Sequence, residues 1–191
     1  MTYVDVWRVD LSRWEGDVLT QVERERALTF GSRRYRRRWM AARSAVRVVV
    51  SRYVGADPLR LPIVVGPHGK PSTSGICFNV SHSAELALVA VAPVNVGVDV
   101  EEVRPERPVA RLAARVGAAP DSFYRDWTRK EAYLKATGLG LRVPLREVDV
   151  SGDEPAPGWS LLSLDVGAGY AAAVCADAPR FEVALRDADP N

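Results

Sequence analysis

The chain has 191 residues, a formal net charge of +2, 47% apolar residues and 26% charged residues, which is typical of a globular protein of one or two domains. Its longest mostly apolar runs, 46–50 and 86–93, are far shorter than the roughly 18 residues that cross a bilayer, and residues 1–10 lack a signal-peptide pattern. Cys77 and Cys175 have neither metal-binding nor redox spacing, so a cytoplasmic protein with reduced thiols and no membrane association is expected.

The N-terminal half of the sequence predicts a long helix among short strands. Alternating apolar residues over 4–11 indicate an opening strand, and a polar stretch then leads into a helix near 18–29. Apolar residues recur at helical spacing over 34–54, so a longer helix is expected there, with Gly55 as its C-terminal cap. Short strands are predicted at 63–65, 76–80 and 86–92, with Ser81-His82-Ser83 as the loop between the last two.

Arginine is concentrated around the start of the long helix. Ten arginines lie between Arg24 and Arg52, and five of them fall within 33–38. Arginine side chains match phosphate geometry, so this segment indicates a polyanionic partner, which could be a nucleic acid, a phosphate-rich cofactor or an acidic protein. A solvated helix face is the simpler alternative, and the sign of the charge does not choose among these.

The C-terminal half predicts a strand, two helices and a closing sheet. Residues 95–103 alternate in polarity and indicate a strand, and a helix within 104–116 follows, its start delayed by prolines. A second helix is expected over 122–138, because glycines follow its last apolar residues. The remaining strands are predicted at 143–150, 159–166, 170–176 and 181–185.

Three carboxylates of this half are expected to converge. Asp99 and Glu101 stand at i and i+2, so both side chains should leave the same face of a strand. Glu131 and Lys135 stand at i and i+4, so they should share a helix face with Trp127. Three carboxylates beside one ammonium describe a Mg²⁺ site that handles phosphate. Taken separately, an exposed strand face and a surface ion pair explain the two patterns.

Five motifs follow one another along the chain: His68-Gly69-Lys70-Pro71, Phe78-Asn79-Val80-Ser81-His82-Ser83, Gly97–Glu101, Trp127–Lys135 and Gly169-Tyr170 leading into Ala173-Val174-Cys175. Their order resembles that of the 4′-phosphopantetheinyl transferases of the surfactin-synthetase-activating type. The signatures of that family are a Gly-hydrophobic-Asp-x-Glu strand and a Trp-[Ser/Thr]-x-Lys-Glu-Ala-x-x-Lys helix, and both are present. The resemblance extends from about residue 33 to residue 175.

The resemblance implies an α/β (α+β) fold of two similar halves related by a pseudo-twofold axis. Each half would be a small, mostly antiparallel sheet with packed helices. Residues 1–96 would form the half that anchors coenzyme A, and residues 97–191 the half with the metal ligands. The site of this single compact monomer would lie in the cleft between the halves.

The implied reaction transfers the 4′-phosphopantetheine group from coenzyme A to a serine of an apo acyl or peptidyl carrier protein and releases adenosine 3′,5′-bisphosphate. Asp99, Glu101 and Glu131 would bind Mg²⁺, or Mn²⁺, which accepts the same ligands. Glu131, or a metal-bound water beside it, would be the base for the serine proton. Lys135 would stabilise charge on the phosphoryl group or the leaving group.

Further residues are implied to bind coenzyme A: Arg33, Arg38, Arg47, Lys70, Pro71, Ser81 and His82. Arg38 and Arg47 match basic positions that hold the 3′-phosphate in relatives, and we expect them to share a helix face, while Arg33 is a looser match. Lys70 with Pro71 matches a segment beside the adenine nucleotide, and His82 a phosphate contact. A turn lysine and a structural histidine are the alternatives.

Residues 102–126 depart from the family pattern. Relatives usually have a longer insertion there, with a Phe-Phe-[Ser/Thr]-x-x-Glu element and a helix that touches the carrier. Carrier docking is therefore expected to use basic surface such as Arg104, Arg107 and Arg111. Two other functions stay open: a protein that binds coenzyme A without turnover, and an arginine-rich nucleic-acid-binding protein. The scarcity of aromatic residues among the arginines argues against nucleic acid as a partner.

Overall fold

The computed structural model describes residues 1–15, 17–66, 69–140 and 143–189, which form two main sheets, a short two-stranded ribbon and four α-helices. The strands are β1 (Thr2–Asp10), β2 (Val64–Val65), β3 (Pro71–Ser72), β4 (Cys77–Ser83), β5 (Leu86–Ala92), β6 (Val96–Glu102), β7 (Ser160–Leu164), β8 (Tyr170–Ala176) and β9 (Phe181–Asp187). The helices are α1 (Gln21–Leu28), α2 (Arg33–Val54), α3 (Ala110–Val116) and α4 (Phe123–Thr137).

The two N-terminal helices begin at capping residues, and α2 ends at a glycine. Thr20 and Glu23 form a capping box at the start of α1, and Ser32 Oγ accepts a hydrogen bond of 3.3 Å from the Tyr35 amide at the start of α2. Gly55 follows α2 with φ +63°, a left-handed conformation that glycine adopts without strain. The helix and the cap predicted from residue spacing are confirmed.

The two main sheets pack face to face between α2 and α4, so the layers run helix, sheet, sheet, helix. The first sheet has the order β4-β5-β1-β9, antiparallel except for the parallel pair β1–β9, and the second has the antiparallel order β6-β8-β7. Buried side chains of both sheets meet in one central cluster, including Val4, Val6, Leu88, Val98, Val100 and Val174. These small, mostly antiparallel sheets with packed helices confirm the predicted fold class.

Both ends of the chain meet in the first sheet. The edge strand predicted near 181–185 is β9, and it pairs with β1 rather than with its sequence neighbour β8. Tyr53 and Arg186 hold this edge, since both donate hydrogen bonds to the Asp5 carboxylate, at 2.6 and 2.9 Å. No helix within the described ranges has an apolar stretch long enough to cross a membrane.

Two sequence predictions need correction. Ser81-His82-Ser83 is not a loop but the end of β4, because its pairing with β5 continues through these residues, and only residues 84–85 turn. The delayed helix start predicted within 104–116 is confirmed, since the helix begins at Ala110, after the prolines. The described residues 143–150 contain a 3₁₀ turn and no strand. Side chains of α4 satisfy carbonyl oxygens of this segment, so it needs no strand partner.

Candidate active site

A buried carboxylate on β6 lies at the centre of the site. Asp99 is 4% exposed, and its Oδ1 accepts hydrogen bonds from Ser81 Oγ at 2.7 Å and from Lys135 Nζ at 2.5 Å. Its other oxygen, Oδ2, is buried and has no hydrogen-bond partner among the described residues. Burying an unpaired carboxylate oxygen is costly, so this atom is a candidate position for a bound ligand.

Two glutamates lie within electrostatic range of Asp99. Burial raises the pKa of Glu101, and the negative charge of Asp99 adds to the rise, while a 2.9 Å hydrogen bond from Ser83 opposes it. Burial also raises the pKa of Glu131, Lys135 lowers it, and the charges of Asp99 and Glu101 raise it. The carboxylates therefore lie close enough for their negative charges to raise the pKa values of Glu101 and Glu131, and the Lys135 ammonium opposes this rise.

Glycine allows α4 to approach the acidic strand. A Cβ atom at Gly97 would overlap the Ala132 carbonyl oxygen and the Ala136 amide, so only glycine permits this contact between β6 and α4. The close approach brings Glu131 and Lys135 of α4 to the face of β6 from which Asp99 leaves.

The cation bonded to Asp99 in this structure is the Lys135 ammonium. Within the ranges that the structure describes, no three acidic, histidine or cysteine side chains form a ready-made metal-binding group. The donors themselves are carboxylate oxygens, the ligands that Mg²⁺ and Mn²⁺ prefer.

A cleft of about 790 Å³ lies between α1, α2 and β4. Its apolar lining includes Trp39, Ala42, Val46, Ile63, Val65 and Val80, and its charged lining is Glu23, Arg26, Arg43 and Arg47. Strand β4 separates this cleft from the carboxylates: His82 lines the cleft, whereas Ser81 on the opposite face bonds to Asp99. The cleft and the acidic cluster, which we define as Asp99, Glu101 and Glu131, thus lie on opposite faces of β4.

Burial lowers the pKa of His82, and the positive charges of Lys135 and Arg38 lower it further. A neutral imidazole at the cleft wall is available as a hydrogen-bond donor. Pro71 lines the same cleft, but the Lys70 ammonium does not. Lys70 instead lines a smaller neighbouring pocket with Lys135, and its ammonium donates to the Lys135 carbonyl at 2.6 Å. His68, the first residue of the His68–Pro71 motif, lies outside the described residues.

The arginines expected to bind the nucleotide do not share one face of α2. Arg38 and Arg47 are nine residues apart, about two and a half turns, so they leave the helix on opposite sides and the expectation of a shared face is wrong. Arg38 pairs with Glu85 at 2.7 Å. Arg47 lines the cleft but donates to Glu23 at 2.6 Å and to two backbone carbonyls. Arg33 lies outside the cleft, at an exposed groove beside Trp14.

Sequence reasoning missed two arginines that line the cleft, Arg26 and Arg43. The spacing of Arg43 and Arg47, at i and i+4, is a signal that could have found one of them. It also missed that Arg129 and Lys130, inside the second motif, are structural. Both are buried, and their side chains donate to backbone carbonyls away from the carboxylates.

Comparison with known proteins agrees with this geometry. Residues 95–175, which hold β6, α4 and β8, match the family model of the 4′-phosphopantetheinyl transferase superfamily. The chain is 35% identical over 195 residues to 4′-phosphopantetheinyl transferase HetI from Nostoc sp. (strain PCC 7120), covering 84% of this chain and 82% of HetI. It is 28% identical over 201 residues to 4′-phosphopantetheinyl transferase Sfp from Bacillus subtilis (strain 168), covering 85% and 89%. The chain therefore belongs to the 4′-phosphopantetheinyl transferase superfamily and is a transferase.

Proposed function

We propose that this enzyme transfers the 4′-phosphopantetheine group of coenzyme A to a serine of an apo acyl or peptidyl carrier protein, with Mg²⁺ as cofactor. The observation that supports the proposal most strongly is that the buried Asp99 lies with the half-buried Glu101, Glu131 and Lys135 next to a cleft lined by arginines. Similarity to Sfp over most of both chains favours the surfactin-synthetase-activating type.

Under this proposal the N-terminal half, residues 1–96, anchors the nucleotide. The cleft residues come from α1, α2 and β4, and they combine apolar surface for a base with arginines for phosphates. Arg43 and Arg47 share Glu23 as their acidic partner, so the pair keeps excess positive charge. Holding the nucleotide there would fix the pyrophosphate near the end of β4.

The C-terminal half, residues 97–191, would hold the metal through Asp99, Glu101 and Glu131. These residues fit a divalent cation, because their donors are oxygens, Asp99 Oδ2 is unpaired, and their charges repel one another. When bound, Mg²⁺ would neutralise the negative charge on the pyrophosphate oxygens.

Two side chains of α4 would handle the proton and the charge of the transfer. The carrier serine must lose a proton as its oxygen attacks phosphorus, and Glu131 is the nearest candidate base. Lys135 would donate hydrogen bonds to the transferred phosphoryl group, and adenosine 3′,5′-bisphosphate would leave.

The test is incubation of the protein with coenzyme A, Mg²⁺ and an apo carrier, followed by intact-mass measurement of the carrier. We expect the carrier to gain the mass of the phosphopantetheine arm. Asp99→Asn and Glu131→Gln keep the side-chain shape but remove charge, so the transfer rate should fall by at least about 10²-fold, as for a lost general base.

The matched control is Glu182→Gln, which removes one exposed carboxylate on β9, far in the fold from α4. It should transfer at the wild-type rate. If the wild-type protein binds coenzyme A but leaves every tested carrier unmodified, the result would favour the alternative that the protein binds coenzyme A without turnover. Full activity of folded Asp99→Asn would instead reject the acidic cluster as the reaction centre.

A further inference from the structure

Lys70 lies between two residues that line the cleft, yet its side chain turns away from it. Gly69 and Pro71 are part of the cleft wall, whereas the Lys70 ammonium donates to the Lys135 carbonyl at 2.6 Å. The same ammonium lies 3.4 Å from the carbonyl oxygens of Val96 and Ala136. All three contacts are to backbone oxygens.

Two of these oxygens belong to the last turn of α4. The last four carbonyls of a helix lack partners within the helix, and the C-terminal end carries partial negative charge. An ammonium has three donors and satisfies several such carbonyls at once. Lys70 therefore stabilises the C-terminal end of α4 from outside the helix.

The third oxygen ties this helix end to the acidic strand. Val96 immediately precedes Gly97, the position at which α4 approaches β6 most closely, and Asp99 follows two residues later. One ammonium thus joins the backbone of β6 to the backbone turn from which the Lys135 side chain reaches Asp99. If these contacts were lost and α4 shifted on β6, the distance between Lys135 and Asp99 would change.

We infer that Lys70 is a positioning residue that holds α4 in register on β6 and so sets Lys135 and Glu131 against Asp99, rather than a ligand of the nucleotide. The kinetic effects expected from losing Lys70 rest on the proposed transferase function. The structural effects rest only on its three backbone contacts. Gly69 and Pro71 line the cleft, whereas the lysine between them lines a smaller neighbouring pocket beside Lys135 and bonds to the end of α4.

The experiment compares Lys70→Met and Lys70→Arg with wild-type protein. Methionine keeps the unbranched chain but has no donors, so kcat should fall by about tenfold or more, because small misplacements of reacting groups are costly. The KM for coenzyme A should change by less than about twofold, since ground-state binding is retained. Mn²⁺ affinity, measured by electron paramagnetic resonance, should weaken, and Lys70→Arg should restore much of each loss.

Lys130→Met is the matched control. Lys130 is also a buried lysine that donates to backbone carbonyls, those of Val116 and Leu145, but these lie away from the acidic cluster. Its loss should lower the melting temperature while kcat and Mn²⁺ affinity of the folded protein stay within about twofold of wild type, because the contacts across β6 are intact. This separates positioning from a general loss of stability.

Two outcomes overturn the inference. A rise in the KM for coenzyme A with unchanged kcat would make Lys70 a nucleotide contact, and a silent Lys70→Met would give it no role. Amide hydrogen exchange in the last turn of α4 is independent of the reaction: it should accelerate in Lys70→Met even if no carrier is ever modified. Loss of protection without transferase activity in wild-type protein would therefore reject the proposed function and keep the structural role.

Discussion

The arginines of α2 show why single-residue roles are difficult to infer from spacing. The sequence predicts a strongly basic helix, but which arginines are free depends on acidic partners elsewhere in the chain. Glu85, in the turn after β4, pairs with three of them, at separations of up to 51 residues, and Glu23 on α1 with two more. Local spacing can place Asp99 and Glu101 on one strand face and Glu131 and Lys135 on one helix face, but it cannot show which arginines find acidic partners remote in the chain.

Glu23 is the residue for which this pairing has a measurable pH dependence. Burial alone would raise the pKa of Glu23, but hydrogen bonds from Arg47, the Thr20 backbone and Arg43 outweigh it and lower the pKa to about 2. Because the folded-state pKa lies below that of the unfolded chain, the carboxylate stabilises the fold above about pH 4.5, and this stabilisation is lost as the pH falls towards 2.

Glu23→Gln should lower the free energy of unfolding at pH 7 by about 3 kcal/mol, because two arginines lose a buried partner. The difference from wild type should shrink between pH 4.5 and pH 3, as measured by urea unfolding at each pH. The control is Glu25→Gln, since Glu25 is an exposed glutamate on the same helix, and this change should have little effect on stability at any pH. Parallel pH profiles for Glu23→Gln and wild type would contradict the assignment.

At the level of elements, periodicity located most helices and strands, but it could not show how β4 meets β6. These are edge strands of different sheets, and side chains replace the missing backbone ladder between them. Asn79 Oδ1 accepts from the Val98 amide at 2.9 Å, and Ser83 Oγ accepts from the Glu102 amide at 3.0 Å. The polar residues 81–83 resembled a loop sequence because the strand that Ser81 and Ser83 bond to, β6, belongs to a different sheet.

Asn79→Ala tests the side-chain hydrogen bonds between β4 and β6. The side chain is 4% exposed, and its removal leaves the buried Val98 amide without its acceptor, so the free energy of unfolding should fall by about 1–3 kcal/mol. Asn95→Ala removes an exposed amide that makes a 3.4 Å contact with Asp177 and should cost much less. If the two variants lose equal unfolding free energy in urea, the Asn79 side chain contributes no more than an ordinary surface hydrogen bond.

At the level of the whole molecule, the layered fold decides which basic surface is left for a partner. Much of the charge on α2 is neutralised by internal carboxylates, and Arg104 pairs with Glu102 at 2.6 Å. Arg111 and Arg115 of α3 are exposed. Arg107 acts on the site itself, since its charge lowers the pKa of Glu101, so it is unsuitable for testing docking alone.

We therefore predict that an acidic carrier docks on α3 and that its KM rises with ionic strength. Exposed charges interact over a Debye length of about 10 Å at 0.1 M salt, and complementary charge mainly accelerates association. Arg111→Glu with Arg115→Glu should raise the carrier KM by about fivefold to tenfold at low salt, as expected for reversing two exposed pairs, and leave the KM for coenzyme A unchanged.

The control pair, Arg13→Glu with Arg180→Glu, makes the same change in net charge at exposed positions outside α3. If both pairs raise the carrier KM equally, only net charge matters and α3 is not the docking surface. If neither pair has an effect and the kinetics are independent of salt, the carrier docks by apolar contact. The aromatic cluster beneath α3, formed by Phe123, Tyr124 and Trp127, would then be the surface to test next.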